Sequence, residues 1–396
     1  MVEDLGRRVD AALDRAGPQL VEDRRHLHRH PELSFEERAT AEMCAERCEV
    51  LGYAVHTEFG GSTGVIADLD SGRPGPTVML RADTDALPVT ERGADRVVTS
   101  GNAGAMHACG HDGHVAMALG AAAILADVRD AWSGRVRMCF QPAEEVALGA
   151  QPMIDAGALD GVDRVMGIHL WAPLQVGRVA VGPGPIFGSA DSFMLVVRGR
   201  GGHGGLPHTS VDPVVCAAQI VTALQTVVSR ETAPGSPAVV TIGRIDGGTA
   251  FNIIADEVRM MGTVRAFEEH DRNRIHQRIA EIAQDLARSL RCEAEFARGP
   301  GCPPVVSDAD VAATVRRAAV DAIGEANVDV APRLTVGDDV ALFLQGVPGC
   351  YFLVGAGDVA NRAVAPHHHP EFDIDERCLP VGAGVLARAA LLELGG

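Results

Sequence analysis

The sequence predicts an α/β protein of two domains, in which a smaller domain is inserted into a larger one. A chain of 396 residues is longer than one hydrophobic core ordinarily serves. Short apolar strands alternate with amphipathic helices, and several of the strands end in polar residues. The pattern changes at the Gly-Pro-rich stretch 182–185 and changes back after 299–304. We therefore expect segments 1–188 and 299–396 to form the larger domain and segment 189–298 to form the insert.

Charge and composition exclude several classes of function. The net charge of −18 argues against a nucleic-acid partner, because phosphate binding needs clustered basic surface. All 35 basic residues are arginine, which rules out a Schiff-base lysine, a phosphate-binding loop with its lysine and a Ser-Lys dyad. Nine scattered cysteines suggest free thiols in a reducing compartment. The N-terminal residues carry no secretory signal, and the longest apolar run is far below the ~20 residues of a membrane span, so we expect a cytoplasmic protein.

The N-terminal region reads as two helices. Val9–His28 has a charged face, and Ser34 with Glu37 has the spacing of a capping box that would start a second helix. Cys44 and Cys48 have the spacing of a metal-binding pair, but they lie on an apolar stripe. Core packing is therefore their expected role.

Two short strands, Gly64–Leu69 and Thr77–Arg81, follow the helices, and the second runs into Asp83 and Asp85. Polar residues at the C-terminal end of a strand lie where α/β sheets place their sites. Either aspartate could ligate a metal, orient a ligating histidine, or simply form a turn.

The stretch Met106–His114 contains four histidine and cysteine side chains that can ligate a transition metal. A helix as far as Asp127 follows it directly. Thiolate and imidazole suit borderline-soft divalent cations, whereas the alternative is a loop with hydrogen-bonded histidines and one buried thiol. The candidate ligands of this stretch are His107, Cys109, His111 and His114.

Two further strands end near ligand-type residues. Arg135–Phe140 leads to Glu144 and Glu145, and Arg164–Ile168 leads to His169. Adjacent glutamates point in different directions, so one could bind metal while the other faces a reacting water. A Glu-Glu pair is otherwise often solvated surface, and a lone histidine is often a core residue. Parallel strands bring such ends together, which favours a site.

The insert and the C-terminal segment complete the pattern. The insert reads as β-α-β-β-α-β, the order of a ferredoxin-like unit; its predicted strands are Ser192–Arg198, Val239–Ile245, Glu257–Ala266 and Glu293–Phe296. The C-terminal segment adds a helix near 308–323, a strand near 351–354, the triplet His367–His369 and a last helix near 380–394.

These motifs resemble the dinuclear metallo-amidohydrolases that include N-acyl-amino-acid amidohydrolases, hippurate hydrolases and indole-acetyl-amino-acid hydrolases. The likeness spans nearly the whole chain in family order. The Cys-Gly-His-Asp-x-His signature is specific to this branch, because related deacylases and carboxypeptidases carry a carboxylate where Cys109 stands. The matching motifs are 30–34, 81–88, 106–114, 140–145, 167–169, 199–207, 252–254 and 368–372.

The resemblance implies a zinc-peptidase-like catalytic domain with a mixed sheet and an inserted lid that mediates dimerisation. It implies two divalent metal ions per chain (Zn, Mn, Co or Ni). The metal ligands carried over by motif are Cys109, His111, Glu145, His169 and His368. Asp83, Asp85 and His114 would support these ligands.

The resemblance also implies the activity: hydrolysis of the amide bond of N-acyl amino acids by a hydroxide shared between two metal ions. Glu144 would serve as general base and acid, and His203 would stabilise the oxyanion. Asn252 and Arg265 would hold the substrate carboxylate. We expect a small-molecule substrate and a homodimer formed through the lid, with a tetramer as the alternative.

The sequence departs from the family pattern at three places. Ala255 stands where proline is common, and 337–340 replaces the usual Glu-Asp-Phe run, which leaves a role for Asp338 open. The triplet leaves the choice among His367, His368 and His369 open, although the spacing to Pro370 favours His368.

Three rival functions stay open from sequence. A dipeptidase or carboxypeptidase, or a deacetylase of N-acetyl diamino acids, would use the same metal centre. A non-catalytic protein with a structural zinc would need only a closed, four-coordinate site. A Cys109 nucleophile would need no metal.

Overall fold

The computed structural model describes residues 2–93, 96–359 and 364–395, which form two compact units. Unit 1 comprises Met1–Ile186, Val306–Pro332 and Asp339–Gly396, and unit 2 comprises Phe187–Val305 and Arg333–Asp338. The bounds of unit 2 enclose the expected insert, residues 189–298. Within the described residues, no helix is long and apolar enough to span a lipid bilayer.

The helices are α1 (Val2–Arg29), α2 (Arg38–Val50), α3 (His111–Asp127), α4 (Ala150–Asp155), α5 (Pro213–Ser229), α6 (Glu269–Ser289), α7 (Ala309–Ile323), α8 (Val340–Gly346) and α9 (Cys378–Glu393). The strands are β1 (Ala54–Phe59), β2 (Gly64–Asp70), β3 (Thr77–Asp83), β4 (Arg135–Gln141), β5 (Arg164–Gln175), β6 (Val179–Ala180), β7 (Gly184–Phe187), β8 (Ala190–Arg198), β9 (Gly202–His203), β10 (Ala238–Gly247), β11 (Ile253–Ile254), β12 (Glu257–Ala266), β13 (Glu293–Cys302), β14 (Val305–Ser307), β15 (Val328–Asp329) and β16 (Gly349–Gly357).

Unit 1 is built on a mixed eight-stranded sheet in the order β1-β2-β4-β3-β5-β16-β6-β15. Its four central strands, β4, β3, β5 and β16, are parallel to one another. Their C-terminal ends therefore lie at the same edge of the sheet, which is where open α/β sheets place their sites. The α/β class and the mixed sheet expected from the sequence are confirmed.

Apolar residues cover both faces of this sheet. Alternation along β3 sends Val78 and Leu80 to one face and Met79 to the other. Helices α1, α3, α7 and α9 pack together over the face that carries Val78 and Leu80. Helices α4 and α8 pack on the face that carries Met79. Helix α3 is buried almost all round, which explains why its sequence is apolar on every side. The motif 106–114 thus lies at the N-terminus of a deeply buried helix.

Unit 2 contains a four-stranded antiparallel sheet in the order β10-β12-β8-β13. Helices α5 and α6 pack on one face of it, which gives the βαββαβ arrangement that the sequence predicts. Asp212 caps α5, because its side chain accepts the backbone N–H groups of Val214 and Val215.

The predicted capping box at Ser34 and Glu37 is wrong. Helix α2 begins directly after Glu37, whose side chain makes no capping hydrogen bond. Ser34 donates to Asp85, and Glu37 instead accepts the backbone N–H of Ala143. The start of α2 is capped by Glu32. Ser34 and Glu37 thus bond to residues distant in sequence rather than to the helix. A buried N–H without a partner costs more free energy than a helix end that water can reach.

Two predicted boundaries also change. The strand expected to end at Ile168 continues to Gln175, so His169 lies inside β5 and pairs with Leu353 of β16. The first helix begins at Val2 rather than Val9. Cys44 and Cys48 are fully buried in the core, as their apolar stripe indicates.

Candidate metal centre

The candidate centre lies at the carboxyl edge of the central strands of unit 1. Asp83 is the last residue of β3, and the turn after β4 carries Glu144 and Glu145. Gly110 precedes α3 with a φ of 93°, a left-handed conformation that glycine adopts without strain. That glycine lets the chain turn between Cys109 and His111, so both side chains reach the same edge.

Five side chains predicted as ligands converge here. Cys109 Sγ lies 3.6 Å from His169 Nε2. Glu145 Oε1 lies 3.8 Å from His111 Nε2, and Glu145 Oε2 lies 3.6 Å from His368 Nε2. Two ligand atoms about 2.0–2.3 Å from one tetrahedral ion are roughly 3.3–3.8 Å apart. These separations therefore match those expected for ligand atoms of one tetrahedral cation.

The hydrogen bonding of the histidines also suits a metal. His111 Nδ1 lies 2.8 Å from the carbonyl oxygen of Asp85, and His169 Nδ1 lies 2.5 Å from that of Leu170. Each Nδ1–H therefore donates to a carbonyl, which leaves the Nε2 lone pair facing the cluster. Within the part of the chain that the structure describes, His111 Nε2 and Glu145 Oε1 are buried without a hydrogen-bond partner. Such atoms are rare in folded proteins, and a divalent cation between them would satisfy both.

The geometry distinguishes the three histidines of the triplet. The ligand atoms of His368, Cys109 and Glu145 lie within 4.8 Å of one another. The backbone N–H of Ala172 donates to His367 Nε2, and exposed His369 accepts the N–H of Glu371. His368 has a φ of 65°, a conformation that non-glycine residues rarely adopt outside functional sites.

Asp83, Asp85 and His114 lie directly behind this cluster. His114 donates to Asp83 through Nδ1 at 2.6 Å and accepts the N–H of Leu170 through Nε2 at 2.8 Å. Both nitrogens of His114 are thus bonded within the protein. The carboxylate of Asp85 accepts the backbone N–H groups of Glu144 and Glu145, at 3.0 and 3.1 Å. It therefore holds the turn that carries both glutamates.

The electrostatics of the cluster favour a cation. Burial opposes protonation of His111, but Asp83, Asp85 and Cys109 raise its pKa well above the usual value. Burial raises the pKa of Glu145 to about 7, against the opposing effect of His111. Burial and the neighbouring Glu145 likewise raise the pKa of Cys109. The protein's own groups thus retain protons here, and a bound cation would displace them.

The remaining predicted residues belong to unit 2. His203 lies on β9, paired with Ile253 of β11, and its Nδ1 accepts the N–H of Gly205 at 2.9 Å. The carbonyl of Asn252 accepts the N–H of Gly204 at 2.8 Å, so His203 and Asn252 lie on neighbouring segments. Arg265 lies on β12 and donates to Thr263 Oγ1 at 2.7 Å. The roles of these three residues toward substrate stay predictions.

Two buried carboxylates near the turn were not identified as site residues from the sequence. The sequence predicts a helix-capping role for Glu37 and no role for Asp339. Asp339 accepts the N–H of Ala150 at 3.0 Å and the side-chain amide of Gln141 at 2.7 Å. Neither residue lies in a motif with metal-ligand spacing, so only their burial and contacts reveal them.

Thiol, imidazole and carboxylate ligands at the carboxyl edge of an α/β sheet, with a second glutamate beside them, define a metal-dependent hydrolase. The model of Peptidase family M20/M25/M40 matches residues 79–392 of the chain. The chain belongs to that family and is a metallo-amidohydrolase, which confirms the resemblance drawn from its motifs.

Relatives are similar over almost the full length. The N-acetyl-L-cysteine deacetylase of Bacillus subtilis is 39% identical over 362 residues, 91% of this chain and 85% of that protein. The thermostable carboxypeptidase 2 of Saccharolobus solfataricus is 39% identical over 376 residues, 94% of each. The crystal structure of the Bacillus subtilis YXEP protein, titled a dinuclear metal binding peptidase from the M20 family, has a TM-score of 0.85 and 34% identity, covering 96% of this chain and 99% of that one.

Proposed function

We propose that this protein hydrolyses the amide bond of N-acyl amino acids and releases a carboxylic acid and a free amino acid. The observation that carries the proposal is the cluster of Cys109, Glu145 and His368 beside the unpartnered His111 Nε2 and Glu145 Oε1. The relative named as a deacetylase of N-acetyl-L-cysteine supports the substrate class.

Two divalent metal ions per chain would be held by Cys109, His111, Glu145, His169 and His368. When bound, such ions lower the pKa of water and polarise the scissile carbonyl. The donor set of thiolate, imidazole and carboxylate suits Zn²⁺, Mn²⁺, Co²⁺ or Ni²⁺.

Glu144 is the proposed proton carrier. Its Oε2 atom lies 3.9 Å from His111 Nε2, and its side chain is 10% exposed, so it borders the cluster and still reaches solvent. It would accept the proton of the attacking water and deliver it to the departing nitrogen, a transfer worth about 10²–10⁴ in rate. His203 as oxyanion donor, with Asn252 and Arg265 as carboxylate partners, is supported by their match to the family motifs.

The test is a substrate panel on chelated protein re-metallated with each ion. Acetyl- and benzoyl-amino acids should be cleaved, and Glu144→Gln should keep the full metal content while losing at least 10²-fold in kcat. Loss of metal in Glu144→Gln would mean that the roles of Glu144 and Glu145 are exchanged. Metal binding with no hydrolysis of any compound would favour a non-catalytic zinc protein.

Peptide hydrolysis at a free C-terminus is the second candidate, favoured by the carboxypeptidase relative at 39% identity. The same metal centre would serve it. Dipeptides, longer peptides and acetylated diamino acids therefore belong in the panel, and the ratio of kcat/KM values decides among them.

We also propose a cytoplasmic homodimer formed through unit 2. All nine cysteines are free and buried, which suits a reducing compartment. The edge strand β10 and the nearby loop expose Ile245 at 55% and Phe251 at 104%, and exposed edge strands invite pairing with another chain. Sedimentation velocity of the wild type and of Ile245→Glu tests this: a monomeric wild type would refute the dimer.

A further inference from the structure

The turn that carries Glu144 and Glu145 has an unfavourable backbone. Ala143 and Ala147 have φ angles of 55° and 54°, although neither is glycine, and side chains disfavour this left-handed region. The turn is also closed tightly, because a Cβ added to Gly149 would lie 1.6 Å from the carbonyl oxygen of Pro142. Such a conformation persists only where surrounding contacts impose it.

Glu37 supplies one of these contacts from outside the turn. Its side chain is fully buried; one carboxylate oxygen accepts the N–H of Ala143 at 2.9 Å, and the other accepts the hydroxyl of Thr63 at 2.6 Å. Ala143 is itself fully buried, so its N–H has no access to water without Glu37. The contact therefore acts on the strained residue directly before Glu144.

Asp85 also fixes the turn, because its carboxylate accepts the next two backbone N–H groups, those of Glu144 and Glu145. Consecutive N–H groups of Ala143, Glu144 and Glu145 thus all donate to buried carboxylates. Each of these hydrogen bonds fixes the direction of one amide of the turn, because the geometry of an N–H···O bond is directional. Asp85 also contacts His111, whereas the carboxylate of Glu37 accepts hydrogen bonds from the turn, from Thr63 and from its own backbone N–H. Glu37 is therefore the cleaner probe of the turn.

We propose that Glu37 is a positioning residue for catalysis: by holding the amide of Ala143, it fixes the left-handed turn that aims Glu144 at the reacting water. This inference rests on the proposed function of Glu144 as proton carrier. What matters is an acceptor oxygen at the right reach, not the negative charge.

Two substitutions separate reach from charge. Glu37→Gln keeps an acceptor oxygen at the same reach and removes the charge, so kcat should stay within about threefold of the wild type. Glu37→Asp keeps the charge but is one methylene shorter, so kcat should fall about 10²-fold, the typical cost of misplacing a catalytic group by ~1 Å. KM and metal content should stay close to wild type in both variants.

The matched control is Glu32→Asp, which shortens the carboxylate that caps α2 through Ala39 and Thr40 without touching the turn. Its kcat should stay within about threefold. Hydrogen exchange measured by mass spectrometry gives a readout independent of turnover. The peptide containing 142–148 should exchange faster in Glu37→Asp than in the wild type. Its exchange rate should be unchanged in Glu37→Gln and in the control.

Three results would overturn the inference: wild-type kcat in Glu37→Asp, a larger loss in Glu37→Gln than in Glu37→Asp, or an equal loss in the Glu32 control. A wild-type enzyme that cleaves no N-acyl amino acid or peptide would instead refute the proposed function, so the two failures are distinguishable.

Discussion

Replacing Glu145 by glutamine should abolish the metal-dependent part of the thermal stability, whereas the same replacement at Glu144 should preserve it. Glu145 is the carboxylate that faces both His111 and His368, with separations of 3.8 and 3.6 Å. One of its oxygens is buried and has no hydrogen-bond partner among the described residues. Neutral glutamine fills the same space but is a much poorer ligand for a divalent cation.

The expected magnitude follows from binding linkage. A metal present at 100 times its Kd stabilises the folded state by about 2.7 kcal/mol. Unit 1 contains roughly 270 residues, and a unit of that size shifts by about 2 °C per kcal/mol. Zinc should therefore raise the melting temperature of the wild type and of Glu144→Gln by about 5 °C, and that of Glu145→Gln by less than about 1 °C.

Without metal, the stability of the wild type should depend on pH more strongly than that of Glu145→Gln. Burial raises the pKa of Glu145 from 4.5 to about 7, so the folded state binds an extra proton between these values. The metal-free wild type should consequently lose stability as the pH rises from about 5 to 7. Glu145→Gln has no such proton and should lack this part of the pH dependence.

Differential scanning calorimetry of chelated protein, with and without zinc at pH 5, 6, 7 and 8, measures both effects. An equal zinc-dependent shift in Glu145→Gln and the wild type would refute the assignment of Glu145 as a ligand. A lost shift in Glu144→Gln would show that both glutamates bind metal.

Three other results are expected. Metal affinity, measured by competition with a chromophoric chelator, should fall as the pH drops, by about tenfold per pH unit for each proton that the metal displaces. The reason is that burial holds the pKa values of Cys109 and Glu145 high. An affinity that does not change with pH would contradict this. His368→Ala should weaken metal binding at least tenfold and His369→Ala should leave it unchanged, since only His368 reaches the cluster; equal effects would contradict the geometry. His203→Ala should lower kcat by about 10²-fold with full metal content, and loss of metal instead would exclude a role confined to the oxyanion.

The regular elements could be predicted because their signals are local. The strands around Asp83 and Glu144, the helix after His111 and the βαββαβ order of unit 2 all follow from hydrophobic periodicity. Parallel pairing of the strands then explains why ligand-type residues at several strand ends meet at one edge.

The supports of the site could not be predicted, because they join residues far apart in sequence. Glu37 bonds to Ala143, 106 positions away, and Asp339 bonds to Gln141, 198 positions away. Spacing rules describe neighbours along one element, so they assigned Glu37 to a local cap. In the structure, Glu37 instead accepts the buried N–H of Ala143, because a buried N–H requires a partner.

The sequence by itself predicted the candidate donor residues of this protein and the local elements that present them, because ligand chemistry and periodicity are properties of short segments. The spacing to Pro370 already favoured His368 among 367–369, and the tertiary structure places its Nε2 beside Glu145; how the turn at Ala143 is held was decided by tertiary structure alone. Those choices depend on which groups are buried together, and the chain fixes that only when distant segments pack.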